Sequence, residues 1–121
     1  MLRFLKSFRY AGRGILAAFS SENNCRIQVA VAVAVVGASF YLRLSPLEWA
    51  AIIICIGLVI GLEMVNSAIE KTCDRITREK DDYVRYIKDM AAGAVLWVSI
   101  CSAAVGAIIF IPKIVHLIYG K

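Results

Sequence analysis

Four residues in the stretch 61–76, "GLEMVNSAIEKTCDRI", have the types and spacing to do chemistry: Glu63, Asn66, Glu70 and Asp74. On a helix turning about 100° per residue they fall at roughly 0°, 300°, 340° and 20°, on one narrow face. A solvated charge stripe is the ordinary reason for such spacing in a soluble helix. Glu63, however, directly follows 14 uncharged residues, "WAAIIICIGLVIGL". An ionisable group at the end of so apolar a run marks a site. The competing explanation is a polar seam that only holds helices together.

The donor inventory narrows the chemistry. Carboxylate and amide oxygens, with no zinc-type Cys/His spacing anywhere in the chain, suit Mg²⁺, which is usually held by one or two carboxylates together with substrate phosphates. Another acid, Glu22 in "SSENNCR", precedes an apolar run, and Lys88 and Asp89 in "IKDMAAGAV" precede a third. Metal-type carboxylates, a lysine and a basic stripe thus converge at one depth. Phosphoryl transfer needs such a set, with cations spread over the phosphates and a base for the attacking hydroxyl. Neither G-x-x-x-x-G-K-[ST] nor a kinase glycine loop occurs, so any nucleotide is handled without those folds. The alternative from another class is a small oligomeric proton- or cation-conducting membrane protein that uses Glu63 and Asn66 as its pathway.

The elements that position these residues follow from composition. The 121 residues are 60% hydrophobic, with mean hydropathy +0.73 and two prolines, which suits a membrane protein rather than a soluble domain. Uncharged runs of 16, 14 and 23 residues lie between Arg26 and Arg43, Glu48 and Glu63, and Asp89 and Lys113. A spanning helix needs about 20 residues. The third run suffices, the first is bracketed by arginines that can snorkel, and the second reaches that length only with Glu63 inside the membrane or at its edge. We therefore predict an all-α membrane protein with spans at about 27–44, 48–70 and 90–112 and a cytoplasmic loop over 71–89. Residues 1–25 form an N-terminal amphipathic surface helix and cytoplasmic segment, and 1–121 is a single membrane domain.

The net charge is +5, and its placement matters more than its size. Arg3, Lys6, Arg9, Arg13 and Arg26 precede the first span, and Lys71, Arg75, Arg78, Lys80, Arg85 and Lys88 follow the second; the connector between spans one and two holds only Arg43. The positive-inside rule puts the N-terminus and the second connector in the cytoplasm and the C-terminus outside, Lys113 and Lys121 being too few to reverse it. This reading needs no nucleic-acid partner. In "LRFLKSFRYAGRGILAAF" the first four cations share a helical stripe, with Leu2, Leu5, Phe8, Leu16 and Phe19 mostly away from it, the pattern of a helix lying in the interface.

Smaller features fit that frame. "LSPLEW" reads as a tight turn with Pro46 in the first turn of the next helix and Trp49 at the interface. Gly57 and Gly61 form a GxxxG, and Ser102 and Gly106 a second small pair, either of which lets helices approach closely. The cysteines, Cys25, Cys55, Cys73 and Cys101, read as small apolar fillers. Trp97 reads as a packing or interface residue, and His116 as no ligand. Some 26 residues before the first apolar run argue against a signal peptide.

At this point the residues carry a resemblance. "ExxNxAIExxxDR" from Glu63 to Arg75, followed by "KDxxxxAV" from Lys88 to Val95, resembles the signature of the small prokaryotic integral-membrane diacylglycerol kinase and undecaprenol kinase family, over nearly the whole chain without gaps. The resemblance implies a bacterial inner-membrane homotrimer with active sites shared between subunits, transferring the γ-phosphate of ATP to a lipid hydroxyl. Carried over residue by residue, Glu63 matches the general base and Asn66 its supporting amide. Glu22 and Glu70 match the carboxylates for the ATP-associated Mg²⁺. Arg3, Tyr10, Glu79, Lys88 and Asp89 match ATP contacts, and Asp74 a structural or nucleotide-side carboxylate. Gln28 stands where the best-known diacylglycerol kinase has a glutamate, and Ala92 where it has a serine; "ENNCRIQ", "SPLEW" and "KDMAAGAV" are more similar to the undecaprenol kinase branch.

Overall fold

The computed structural model describes residues 1–120; Lys121, counted above among the C-terminal cations, lies outside them. Four helices follow in order: α1 (Leu2–Ser21), α2 (Asn23–Tyr41), α3 (Pro46–Ile76) and α4 (Asp82–Tyr119). Their boundaries are set locally. Ser45 and Glu48 form a capping box at the start of α3, Ser45 Oγ accepting from the Glu48 N–H at 3.2 Å and Glu48 Oε1 from the Ser45 N–H at 2.9 Å, with Pro46 just inside the helix. Asp81 caps α4, its Oδ1 accepting from the N–H groups of Tyr83 and Val84 at 2.9 and 3.0 Å. Arg43 makes the α2–α3 turn with φ at 54°, an uncommon conformation for a residue with a Cβ.

Helices α2, α3 and α4 are each long and apolar enough to cross a membrane. At about 1.5 Å per residue they measure roughly 28, 46 and 57 Å, against a hydrocarbon core of about 30 Å. The surplus turns of α3 and α4 carry charge beyond the apolar segment. The connector read from sequence over 71–89 is accordingly mostly helix, and only residues 77–81 are not. The reason is the absence of glycine and proline from 71–89: polarity ends a span, but only a breaker or a competing cap ends a helix.

Helix α3 is central, packing along α4 and more lightly on α2, while α1 packs on α2. Two ion pairs bracket the antiparallel α3–α4 pair, Lys113 to Glu48 at 3.1 Å and Lys88 to Asp74 at 2.6 Å. Glu48 and Asp74 are 26 residues apart, Lys88 and Lys113 25, so one register runs the length of the pair. By that register Glu70 falls level with Ala91 and Ala92. The buried core is small: Leu44, Ile52 and Ile109, with Trp49, Val105 and Phe110 packed around them. Large apolar side chains such as Ile54, Leu96 and Ile108 are exposed, as expected where lipid is the solvent. The expected close approach at Gly57 and Gly61 does not occur within the chain, since a Cβ at either position would meet nothing within 4 Å.

Candidate active site

The α-helical period does bring the four α3 residues to one face, and that face is turned inward at its apolar end. Glu63 is 4% exposed and Asn66 and Ser67 are each 7% exposed, whereas Glu70 and Asp74, one and two turns further, are exposed. Glu63 Oε1 and Asn66 Oδ1 are buried with no hydrogen-bond partner among the described residues. Leaving such a group unpaired costs about 1–3 kcal/mol, so two orphaned acceptors one turn apart mark a place built for a donor or a cation. The Asn66 amide donates through Nδ2 to Glu70 Oε1 at 3.4 Å, a long bond that links the buried and exposed halves of the face.

Charge is paired at the exposed half. Lys88 of α4 donates to Asp74 Oδ1 at 2.6 Å. That bond holds the Asp74 carboxyl below its usual pKa and the Lys88 ammonium above its own. Lys71 donates to Glu22 Oε1, which raises the Lys71 ammonium in the same way, with Glu70 and Asp74 adding to the effect. Three carboxylates, Glu22, Glu70 and Asp74, therefore lie among the Lys71 and Lys88 ammonium groups, with the Arg78 guanidinium also acting on Asp74. Among the described residues, no three His, Cys, Asp or Glu side chains close around one point.

Beneath the buried half lies a cavity of about 360 Å³ between α2, α3 and α4, within the roughly 300–1,000 Å³ typical of ligand pockets. Its walls are apolar, among them Val31, Val35, Ile56, Ile60 and Phe110, with Gln28, Ser99 and Ser102 as polar exceptions. On α3 its lining runs from Ile52 to Ile60, three residues short of Glu63, so the cavity lies on the apolar side of the carboxylate, which is not itself part of the wall.

The remaining expected site residues are not gathered here. Arg3 and Tyr10 lie on α1, which packs on α2, and both are exposed; Glu79 lies in the 77–81 connector; Asp89 is exposed at the start of the apolar part of α4. Among the described residues, none of these four side chains bonds to the cluster. One residue has an importance that sequence reasoning did not give it. Lys71, read only as one cation among several, joins the cluster to Glu22, 49 residues away. Cys25 is fully buried, within electrostatic reach of the Glu63 and Glu22 carboxylates, and Cys73 is buried on α3, in keeping with small fillers.

A helical chain with three membrane-length apolar helices and a partly buried carboxylate–ammonium cluster toward one end of them has the build of an integral-membrane protein. The chain belongs to the prokaryotic diacylglycerol kinase family, whose model matches residues 9–110. It is 42% identical over 112 residues to an undecaprenol kinase of Bacillus subtilis, covering 93% of this chain and 91% of that one. A diacylglycerol kinase of Synechocystis is 35% identical over 114 residues, covering 93% of this chain and 65% of the relative. A diacylglycerol kinase of Escherichia coli is 37% identical over 95 residues, covering 78% and 77%. The family match includes every α3 and α4 site residue and leaves Arg3 outside.

Proposed function

We propose that the α3 face is where a lipid hydroxyl, entering from the membrane, meets MgATP from the water. The chain is a lipid kinase of its family, and ATP is its phosphoryl donor. Glu63 takes the proton from the lipid hydroxyl, and Asn66 is its supporting amide. The observation that carries this reading is the buried Glu63 oxygen, without a partner among the described residues, three residues beyond the α3 end of an apolar cavity's wall. A lipid alcohol supplies both what the oxygen lacks, an O–H donor, and what the cavity suits, a hydrocarbon chain.

Lys88, with Arg3, Tyr10, Glu79 and Asp89, contacts ATP. Glu22 and Glu70 are the pair suited to Mg²⁺: hard oxygen donors gathered around the same ammonium, few enough that phosphates and water complete the shell. When bound, the ion supplies charge neutralisation on the transferring phosphates. Residues 1–25, with α1 lying in the interface, and the two helix ends around 71–89 lie on the cytoplasmic side of a bacterial inner membrane. The single domain assembles as a homotrimer, and the site residues that one chain leaves apart come together between subunits. Gly57 and Gly61, unopposed within the chain, support that assembly.

The lipid is undecaprenol or diacylglycerol; Gln28 in the cavity wall and the similarity to the Bacillus subtilis protein favour undecaprenol. The test presents purified protein in detergent with labelled ATP and, separately, undecaprenol, diacylglycerol and a total lipid extract. Label in undecaprenyl phosphate is expected. Label in no lipid, from protein that still binds MgATP, would refute the reading.

A further inference from the structure

Glu22 is the single residue between α1 and α2. Its backbone is extended, at φ −101° and ψ 115°, and serves both helices, the N–H donating to the Ala18 carbonyl at 3.0 Å and its carbonyl accepting from the Arg26 N–H at 3.2 Å. Its side chain makes no capping bond. The carboxylate is thus left over from the corner, and Lys71 takes it from across the fold. Among the described residues this is the only polar side-chain bond between the α1–α2 corner and α3. Asp74 has its own partner in Lys88, while Glu70 has only the long bond from Asn66. The Lys71 ammonium therefore sits where a free cation would be drawn, bonded to Glu22 and in electrostatic reach of Glu70.

We propose that Lys71 is a tethered counter-cation that occupies the Glu22 carboxylate and must leave it before Glu22 and Glu70 can share a divalent ion, so that Lys71 sets the Mg²⁺ level at which the site fills. The inference rests on the metal assignment made above. An ammonium has donors and no acceptor, so it cannot join a metal's shell and can only compete for the same oxygens. Displacement is easy by design: the Lys71 side chain is 66% exposed on a flexible stem and Glu22 is 22% exposed. Partly exposed pairs are worth little, which limits the competition to about fivefold in metal affinity. Lysine is suited to such a place as arginine is not, since a guanidinium grips a carboxylate with two bonds and releases it less readily. Once released, the ammonium is free to face the phosphates that arrive with the metal.

The test is a titration of the full-length protein in detergent with Mn²⁺ alone, free ion being read by electron paramagnetic resonance, beside the apparent Mg²⁺ requirement for turnover. Lys71→Met is expected to bind Mn²⁺ about fivefold more tightly, Lys71→Arg more weakly than the unaltered protein, and Arg75→Met, which removes a cation of the same helix that forms no ion pair among the described residues, about equally. In a Glu22→Gln background the Lys71→Met gain should vanish. If Lys71→Met leaves Mn²⁺ affinity unchanged or weakens it while Glu22→Gln alone lowers it, the counter-cation is refuted and the metal site stands. The inference also falls if Arg75→Met gains as much as Lys71→Met, because the effect is then general charge. If Glu22→Gln leaves Mn²⁺ affinity untouched, the metal assignment falls and takes this inference with it.

Discussion

Replacing Glu63 by glutamine separates catalysis from architecture more cleanly than any other single change. General-base catalysis contributes about 10² to 10⁴ in rate, or roughly 2.7 to 5.4 kcal/mol of barrier, and Glu63→Gln removes that capacity at nearly constant volume. Stability should move the other way. The side chain is 4% exposed, and two acceptors in its neighbourhood, Glu63 Oε1 and Asn66 Oδ1, have no donor. An amide carries two donors to that place. Recovering one unpaired group within the usual range of about 1–3 kcal/mol, less the cost of ordering the new bond, leaves a gain on the order of 1 kcal/mol. For a chain of this size that is a melting temperature higher by about 4 °C. The assays are turnover with labelled ATP and lipid, a thermal melt in detergent, and a MgATP titration. The expected result is turnover lowered at least a hundredfold, with MgATP binding retained and melting unchanged or raised. Turnover within a few-fold of the unaltered protein would remove Glu63 from the role of base, and a large loss of thermal stability would make the face a packing seam instead.

Glu22→Gln and Glu70→Gln should each raise the Mg²⁺ requirement about tenfold or more while lipid binding is kept, since each removes one of few carboxylates open to the ion; normal activity of both at ordinary Mg²⁺ would exclude them as ligands. Lys88→Ala should raise the ATP requirement, and Lys88→Arg should restore it only in part, because a fork does not replace a point charge; full recovery would reduce Lys88 to generic basicity. The Asp74–Lys88 pair should stabilise the α3–α4 end between the unfolded values of the two groups, about pH 4 to 10. That contribution is lost as pH falls through the depressed Asp74 value or rises through the elevated Lys88 value, and an unchanged pH–melting profile in Asp74→Asn would show that the pair contributes nothing. Reporters joined after residues 46 and 121 should be external and one inserted near Asp82 cytoplasmic; an external Asp82 would separate the acids from cellular ATP.

Much of this protein was legible without coordinates because the relevant physics is local. Whether a segment can cross hydrocarbon depends on its own composition, and three such helices are present. The sharing of one face by Glu63, Asn66, Glu70 and Asp74 follows from the period of a single helix. The turn at "LSPLEW" is likewise legible, because a capping box closes within four residues. Helices α3 and α4 run past the expected spans for the same local reason: loss of hydrophobicity ends a span, yet helical hydrogen bonds continue through polar residues until something interrupts them. What pairs with what was decided only in three dimensions. Lys71 and Glu22 are 49 residues apart and share no periodicity, and the burial of Cys25 and the apolar cavity exist only where the helices pack together. Gly57 and Gly61 make the same point in reverse, since their spacing permits a close approach and the packing of this chain leaves them unopposed. Periodicity states which residues share a helix face, but the register and tilt of neighbouring helices, set by packing over the whole length of α3, determine which of those faces meet.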